Sequence, residues 1–432
     1  MARRLNASDA AFQEQFRQLL FANRAEEDDV AAVVRGIIAD VRNRGDAALV
    51  ELSNKFDRAD VTAQTLKLSA AEIDAALSKV SKEQLTAIET AAMRIESYHR
   101  RQLPEDARFT DDTGALLGWR WTSLDSVGLY VPGGTAAYPS SVLMNAIPAK
   151  VAGVARIVMV TPASGGSINP LVLAAARRAG ITDIYRIGGA QAVAALAYGT
   201  QTIMAVDKIV GPGNAYVAAA KREVFGQVGI DSIAGPSEIL VIADGQNDPE
   251  WIAADLLSQA EHDPSSQSIL ITDDAGFADA VAAAAVRQIA ILPRADIAGK
   301  SWADNGAIIV VRALDEACAL ADAIAPEHLE IATADPESLL KKVRHAGAIF
   351  LGRYTPEAMG DYIAGPNHVL PTSRTARFSS GLSVLDFLKR TTLLGLDAKS
   401  MAAIGPEALT LAEAEGLQAH AHSIAARLNQ KS

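Results

Sequence analysis

The sequence has one cysteine and few aromatic residues. Cys318 is the single thiol among 432 residues, which excludes an internal disulfide and a zinc cluster built from cysteines. It lies in the helical pattern of residues 314–320, where a small, weakly polar side chain is usually buried. Because no histidine lies near it in that pattern, we interpret Cys318 as a core residue and not as a nucleophile.

Excess positive charge and long apolar runs are lacking too. The formal net charge is −11, and no run of lysine and arginine supplies the attraction that nucleic acids and anionic membranes require. No apolar run approaches the length of about 18 residues that a membrane span needs. Met1–Leu5 is followed by polar residues and not by an apolar signal segment. We therefore expect a cytoplasmic protein without nucleic-acid or membrane partners.

The residues that are present are typical of a soluble α/β enzyme with more than one domain. Hydrophobic residues make up 49% of the chain and charged residues 21%, as in ordinary globular enzymes. Between residues 8 and 99 apolar side chains recur at helical spacing, for example Phe12, Phe16 and Leu19. The pattern predicts helices without showing which surface they cover. His99, which lies among arginines, is predicted to be a solvated residue.

Strands and helices alternate from about residue 126 to residue 351. The predicted strands are 128–131, 157–161, 183–187, 208–210, 239–243, 268–272, 307–311 and 348–351. This alternation indicates parallel sheets with helices on both faces. The two halves of the region show no clear self-similarity, so we predict two units of similar architecture and not a sequence repeat.

Glycine-rich turns follow three strands of the first unit. They are residues 132–134, 188–191 and 211–214. Each places small residues before a helix N-terminus, where backbone N–H groups and the helix dipole can bind a phosphate. None is the GxGxxG fingerprint of dinucleotide-binding folds. The glycines could equally serve tight turns and close packing.

Two short segments carry side chains suited to chemistry. Gln259 and His262 are three residues apart, so on a helix they share a face beside the turn that ends in Ser237. They could hold a metal or a polar substrate, or they could simply end an exposed helix. Downstream, Pro326 in the first turn of a predicted helix places Glu327 and His328 near free N–H groups, where the dipole favours a carboxylate and a neutral imidazole base. The alternative is that Glu327 only caps this helix and His328 packs on the sheet.

Further polar residues lie towards the C-terminus. His368 is in a loop rich in glycine and proline, the kind of segment in which a rigid scaffold often presents functional groups. Glu415 and His420 lie in a mainly helical region, residues 407–428, which Gly416 could interrupt.

These segments together resemble the histidinol dehydrogenase family. The resemblance rests on residues 230–238 (IDSIAGPSE), 255–262 (DLLSQAEH), 326–330 (PEHLE), 359–362 (MGDY), 365–368 (GPNH) and 413–417 (EAEGL) with His420. The blocks occur in order along nearly the whole chain.

The resemblance implies a set of site residues. Zinc would be held by Gln259, His262, Asp361 and His420, a ligand set without thiolate that manganese or cobalt would also accept. Substrate would contact Ser237, Gln259, His262, His328, Asp361, His368, Glu415 and His420. Tyr130, Gln191 and Asn214 would contact NAD, and Glu327 and His328 would be the catalytic acid and base.

The resemblance also implies a reaction and an assembly. L-histidinol would be oxidised to L-histidine through L-histidinal with two NAD, in a homodimer whose C-terminal segment reaches the partner's site. An oxidation of another primary alcohol, such as a sulfonated diol, and a catalytically silent metal- or nucleotide-binding protein are the alternatives. Glu415, His368 and Ser237 favour a substrate with an imidazole and an amine, because a carboxylate would repel a sulfonate.

We expect an α/β fold with two Rossmann-like parallel-sheet domains, a helical N-terminal segment and a small helical C-terminal extension. The expected boundaries are 1–25 for the N-terminal segment and 26–125 with 236–380 for a discontinuous domain that carries the metal and catalytic residues. Residues 126–235 are expected to bind NAD. Residues 381–432 are expected to form the extension that contributes to the partner's site.

Overall fold

The computed structural model describes residues 2–22, 28–133, 138–233 and 235–429. Its strands are β1 Arg3–Asn6, β2 Ala107–Thr110, β3 Leu116–Ser123, β4 Ser126–Tyr130, β5 Arg156–Val160, β6 Asp183–Tyr185, β7 Lys208–Val210, β8 Gly229–Ile230, β9 Glu238–Ala243, β10 Gln267–Thr272, β11 Ala307–Val310, β12 His328–Ala332, β13 Ala348–Leu351 and β14 Leu388–Gly395. Its α-helices are α1 Phe12–Leu20, α2 Asp28–Arg44, α3 Asp46–Phe56, α4 Ala70–Leu77, α5 Lys82–Arg100, α6 Pro139–Val151, α7 Pro170–Ala179, α8 Gly189–Tyr198, α9 Ala215–Val224, α10 Pro249–Ala260, α11 Ala275–Ile289, α12 Ala295–Asp304, α13 Leu314–Ile324, α14 Pro336–Leu340, α15 Glu357–Tyr362, α16 Ala398–Ala414 and α17 Gln418–Leu428. The α/β architecture predicted from the alternation of strands and helices is confirmed.

The larger sheet has six parallel strands in the order β1-β11-β10-β9-β12-β13. Its central strand β9 has the sequence EILVIA and is buried along its whole length, which is the pattern of a strand covered on both faces. Helices α10 and α11 cover one face, and α1 and α13 cover the other. Strand β1 is an addition to the expected helical N-terminal segment, and it pairs with residues 307–310.

The smaller parallel sheet has five strands in the order β6-β5-β4-β7-β8. The chain enters at β4, runs outward to β6, and then returns to the other side of β4 as β7 and β8. This reversal creates a crevice beyond the carboxyl ends of β4 and β7, the usual place for a ligand in an open parallel sheet. Tyr130 and Val210 are the last residues of these two strands.

Helices α2 to α5 pack on the five-stranded sheet. Ile38 of α2 belongs to the same buried cluster as Val158 of β5, and Ile95 of α5 belongs to the same cluster as Leu129 of β4. This packing differs from the expected grouping of residues 26–125 with 236–380, because an apolar stripe shows that a helix is covered but not by which sheet. We therefore propose that residues 28–233 form one unit and that β1 and α1 belong with residues 238–377 in the other.

Strand β12 replaces the helix predicted to begin at Pro326, and that prediction is wrong. Helix α13 ends at Ile324, and Ala325 closes it in the left-handed conformation with φ +48. Proline is common just after such a helix end because it cannot continue the helix. His328 then begins a fully buried strand between β9 and β13, opposite Ile239 and Ala348.

The C-terminal part of the chain belongs to neither parallel sheet. Strand β14 pairs with β3 in an antiparallel sheet with the order β14-β3-β2. Helices α16 and α17 pack against each other, and the predicted break at Gly416 is present with φ +74. Within the described ranges, none of the helices has the length and apolar character needed to cross a membrane.

Candidate functional site

A cavity of about 470 Å³ opens where the two parallel sheets approach each other. The turn after β7 lies on one side, and the amino ends of β9 and β12 lie on the other. Seven residues expected at the site line it: Ser237, Gln259, His262, Glu327, His328, Asp361 and His368. The larger sheet thus contributes residues from the amino ends of its strands, and the smaller sheet contributes its carboxyl edge.

His328 is fixed in the orientation of a general base. Its Nδ1 lies 3.0 Å from the carbonyl oxygen of Glu238, so in the neutral ring Nδ1–H donates this bond and Nε2 carries the lone pair. Nε2 is buried without a hydrogen bond among the described residues. It lies 3.8 Å from Glu357 Oε1 and 3.9 Å from Asp361 Oδ1. Burial opposes protonation, but the carboxylates of Glu327, Glu357 and Asp361 outweigh it and raise the pKa of His328.

Glu327 lies beside His328, just before the strand begins. Its Oε2 accepts a hydrogen bond of 2.9 Å from the backbone N–H of Glu238 and lies 3.7 Å from His328 Nδ1. Burial raises the pKa of Glu327 to about 8. This is opposite to the expected effect of a helix dipole, because no helix begins here. The two neighbours are therefore both groups that can accept or release a proton near neutral pH.

Gln259 lies in the last turn of α10, as the sequence predicts, but the helix ends at Ala260, two residues before His262. Both amide atoms of the Gln259 side chain are buried and lack a hydrogen-bond partner among the described residues. Leaving a buried polar group unpaired costs about 1–3 kcal/mol, so the amide is placed for a ligand. His262 follows the helix and is exposed on the cavity side. Surrounding protein atoms reduce its solvation and lower the pKa of His262.

Asp361 and His368 come from α15 and from the loop that follows it. His368 Nδ1 lies 3.5 Å from Asp361 Oδ1. Burial opposes the ionisation of Asp361, but His368, His328 and His262 together lower its pKa. A carboxylate with a lowered pKa that lies among imidazoles, in a cavity also lined by the unpaired amide of Gln259, is a suitable cation ligand.

His99 and Asn367 fix this loop against α5. His99 is fully buried, so its predicted solvation is wrong. Its Nδ1 lies 2.8 Å from the carbonyl of Ile95, and its Nε2 lies 3.4 Å from Asn367 Nδ2. Asn367 Nδ2 also donates to the carbonyl of Met144. The arginines next to His99 in sequence concealed a core position, because neighbours along a helix face different directions.

Glu357 is a carboxylate next to the site that the sequence analysis did not predict, 3.8 Å from His328 Nε2. It is buried, and its Oε2 accepts a 3.0 Å hydrogen bond from Ser258. One ligand atom from each of His328, Glu357 and Asp361 lies within 4.8 Å of the others, close enough to share a cation. The signal was available, because Glu357 and Asp361 are four residues apart and therefore share a helix face.

The expected cofactor residues lie at the carboxyl edge of the five-stranded sheet. The Tyr130 hydroxyl oxygen accepts a 3.0 Å hydrogen bond from the backbone N–H of Gly189. Gln191 is buried in the first turn of α8. Asn214 caps α9, where its Oδ1 accepts from Tyr216 and Val217. Tyr130 ends β4 and Asn214 follows β7, the two strands at the chain reversal, whereas Gln191 follows the edge strand β6. None of the three is among the residues that line the cavity above or the one that adjoins it.

A second cavity, of about 710 Å³, adjoins the first, and Pro132 lines both. Its wall includes the segment after β5 and the start of α7. The glycines of two nearby turns serve packing, since a Cβ on Gly133 or Gly188 would lie 2.6 Å from the ring of Pro162. The two cavities thus meet at Pro132, beside the turn that follows β4.

Glu415 and His420 are not brought to the cavity within one chain. Glu415 closes α16 and His420 lies in α17. Both side chains are exposed and neither lines the cavity. The expected metal set is therefore incomplete in a single copy of the chain.

Comparison with known proteins identifies the family of the chain. A histidinol dehydrogenase family model matches residues 21–428. The chain is 64% identical over 429 residues to histidinol dehydrogenase of Rhizobium meliloti, covering 99% of each chain. It is 63% identical over 431 residues to that of Rhodospirillum rubrum, covering 100% of this chain and 99% of the relative. The crystal structure of histidinol dehydrogenase from Elizabethkingia anophelis superposes with a TM-score of 0.95 at 38% identity, covering 99% of this chain and 98% of that one. The chain is therefore an oxidoreductase and belongs to the histidinol dehydrogenase family.

Proposed function

We propose that the protein oxidises L-histidinol to L-histidine through L-histidinal, with two NAD and with zinc in the site. The observation that carries the proposal is that Glu327 and His328 line the same cavity as the unpaired amide of Gln259. A family relationship at this level of identity supports the same substrate class. The acid and base side chains argue against a protein that only binds a metal or a nucleotide, because binding alone requires neither.

His328 is the base of the first oxidation. The hydrogen bond from Nδ1–H to the Glu238 carbonyl holds the ring and leaves Nε2 to accept the hydroxyl proton of the alcohol. The nearby carboxylates that raise the pKa of His328 also stabilise the imidazolium that forms. Loss of this proton lets the carbinol carbon release a hydride and become the aldehyde carbon.

Glu327 is the base of the second oxidation. Its carboxylate takes a proton from water as the water oxygen adds to the aldehyde carbon, and the imidazolium of His328 returns its proton to the former carbonyl oxygen, which gives the hydrate and restores the neutral imidazole. His328 again takes a hydroxyl proton, and a second hydride leaves to give the carboxylic acid. With its pKa at about 8, Glu327 can both accept and release a proton near neutral pH.

The described residues fit a metal ion. Gln259, His262 and Asp361 line one cavity, and the Gln259 amide has no other partner among the described residues. We propose that they hold zinc together with His420 of a second copy, and Glu357 is an additional carboxylate within reach. Zinc, when bound, orients the substrate and polarises the oxygen that it contacts.

The chain reversal in the five-stranded sheet supports a site for NAD, because open parallel sheets usually bind their ligands at such a reversal. We propose that Tyr130, Gln191 and Asn214 contact NAD there and that it supplies the hydride acceptor for each oxidation. The hydrogen bond from Gly189 N–H holds the Tyr130 ring, and the Asn214 side chain is held by its capping bonds. Side chains fixed in this way can place the nicotinamide with little loss of conformational entropy.

Charge in the cavity favours a cationic substrate. Glu261, Asp263 and Asp361 line it and outnumber Arg294, while Lys221 in the same wall is paired with Asp231. L-histidinol carries an ammonium group at neutral pH. A sulfonated diol would bring an anion close to these carboxylates, which is unfavourable at short range. Ser237 and His368 supply further polar contacts along the same wall.

We propose that the active assembly is a homodimer. Glu415 and His420 lie on exposed helices outside the cavity, so a second copy is required to bring them to a site. A C2 dimer would place each C-terminal extension on the partner and complete two equivalent sites.

A substrate comparison tests the proposal. The purified protein is assayed by NADH absorbance with L-histidinol and with 2,3-dihydroxypropane-1-sulfonate, and its metal is measured by elemental analysis. We expect rapid NADH formation with L-histidinol alone and zinc in the protein. Turnover of the sulfonate instead would show a different substrate, and bound metal without turnover of either alcohol would indicate a silent binding protein.

A further inference from the structure

A buried ion pair lies in the wall of the substrate cavity, and the proposed reaction does not use it. Lys221 of α9 pairs with Asp231, which follows β8. The side chains are only 3% and 4% exposed, and both residues line the cavity that contains His328. A buried ion pair rarely adds net stability over apolar residues of the same size, so its presence here suggests a positioning role.

Both members of the pair bind the same backbone residue. The backbone N–H of Gly211 donates a 2.7 Å hydrogen bond to Asp231 Oδ2. Lys221 Nζ donates a 3.1 Å hydrogen bond to the carbonyl oxygen of Gly211. Asp231 Oδ1 also accepts from the backbone N–H of Ser232. The pair therefore fixes both polar groups of Gly211 and joins it to the segment that leads to Ser237.

Gly211 begins the Gly-Pro-Gly-Asn turn, which has few side-chain atoms of its own to pack. Its φ of +113 favours glycine, and a Cβ at this position would lie 2.1 Å from the carbonyl oxygen of Tyr130. The turn ends in Asn214, the cap of α9. Its position thus depends on the two charged side chains that hold Gly211 and on contact with Tyr130.

We propose that Lys221 and Asp231 are positioning residues for NAD. They hold residues 211–214 against Tyr130 so that Asn214 and the tyrosine present one surface to the cofactor. The inference rests on the proposed function, because it assigns NAD to this crevice. It also predicts that loss of the pair acts on the cofactor and leaves the metal and the substrate in place.

The test compares the variants Lys221→Met and Asp231→Asn with the parent enzyme. Methionine keeps the length of lysine without its charge, and asparagine keeps an acceptor for Gly211 N–H. We expect the KM for NAD to rise about ten- to a hundredfold, since small displacements of a positioned group can cost that much. The KM for L-histidinol and the zinc content should stay within about twofold of the parent values.

Lys208→Met is the matched control. Lys208 begins β7 at the other end from Gly211, and its Nζ donates to the backbone and side chain of Asp386 at 2.8 and 3.0 Å. Loss of this half-buried pair should lower the melting temperature without changing the KM for NAD. A cofactor effect confined to the Lys221 and Asp231 variants supports the proposal.

Other outcomes overturn it. An unchanged KM for NAD excludes a positioning role, and equal losses in both KM values or in zinc show general damage to the fold. If Lys221→Met does not fold, the Asp231→Asn result decides by the same criteria. If neither Lys221→Met nor Asp231→Asn folds but Lys208→Met does, the ion pair serves only the stability of the fold.

NADH binding measured by fluorescence without any alcohol separates this inference from the proposed reaction. An inactive parent that binds NADH, with binding weakened in both variants, would refute histidinol oxidation and support the positioning role. An active parent whose NADH affinity is unchanged in the variants would refute the positioning role and retain the reaction.

Discussion

The central cavity and the C-terminal helices both carry residues of the expected site. The cavity brings most of these residues together, whereas the C-terminal helices hold theirs apart from it. In the cavity, seven expected residues converge from β9, α10, β12, α15 and the adjoining loops. On α16 and α17, Glu415 and His420 are exposed and lie apart from them. The same sequence thus builds most of a site within one chain and leaves the remainder on a surface, which is the arrangement expected when sites are shared in a symmetric dimer.

The strongest test of this comparison is complementation between two inactive variants. His262→Asn removes a cavity residue, and His420→Asn removes a C-terminal one, so each homodimer should lose zinc and activity. A heterodimer isolated with two affinity tags should regain roughly half of the parent activity, because shared sites place both mutations in one site and leave the other intact.

The control is His422→Asn, which changes the other exposed histidine of α17 and should leave activity unchanged within about twofold. An inactive heterodimer would show that each chain supplies its own His420, and the proposed division between cavity and C-terminal helices would be wrong.

Glu327→Gln tests the division of labour within the cavity. The glutamine keeps an acceptor for the Glu238 N–H but cannot take a proton from water. We expect oxidation of L-histidinal to fall about 10²- to 10⁴-fold and oxidation of L-histidinol to fall less than about tenfold. Stopped-flow measurement of each step supplies the two rates. Equal losses in both steps would mean that Glu327 does not act selectively on water.

The pH dependence of L-histidinal oxidation tests the ionisation of Glu327, a residue of the cavity. Burial raises the pKa of Glu327 to about 8, and the base form required for water activation is lost as the pH falls below that value. The rate should therefore rise by roughly tenfold for each pH unit below about 8 and then level off. The rise of the rate with pH below about 8 should be missing in Glu327→Gln, because glutamine does not ionise. A rate that instead falls as the pH rises through 8 would assign the acid form to this step.

A smaller effect is expected where α5 supports the loop that carries His368. Arg94 Nε donates to the carbonyl of Ile363 at 2.7 Å, and its Nη2 donates to Ala364 at 3.1 Å. Arg94→Met should raise the KM for L-histidinol about fivefold, equivalent to the ~1 kcal/mol of an ordinary hydrogen bond. Arg100→Met is the control, because Arg100 pairs with Glu96 on the same helix. If Arg94→Met and Arg100→Met have the same KM for L-histidinol, α5 does not support the site.

The sequence predicts the alternating strands well but not the way that the helices and the site are arranged on them. Apolar runs such as residues 239–243 require burial whatever surrounds them, so their strands follow from composition alone. The helices of residues 28–100 have equally clear apolar stripes, but only tertiary packing decides that they cover the five-stranded sheet. The short β1 gives no comparable signal, because only Leu5 in it is buried.

The site was harder to predict because it uses the amino ends of β9 and β12. Proline before Glu327 and His328 also fits the start of a helix, and only the left-handed Ala325 shows that the preceding helix has just ended. A helix beginning at Pro326 would lower the pKa of Glu327 through its dipole. Because the chain forms a strand here instead, burial raises the pKa of Glu327. Glu357 was overlooked although its spacing from Asp361 was visible in the sequence.

The most direct test of the central claim is the stoichiometry of a complete reaction. The zinc-loaded protein is given excess NAD and a limiting amount of L-histidinol, and NADH and the product are quantified at the end point. We expect two NADH for each L-histidinol, with L-histidine as the product and no accumulated aldehyde. One NADH with L-histidinal as the final product, or no NADH at all, would contradict it.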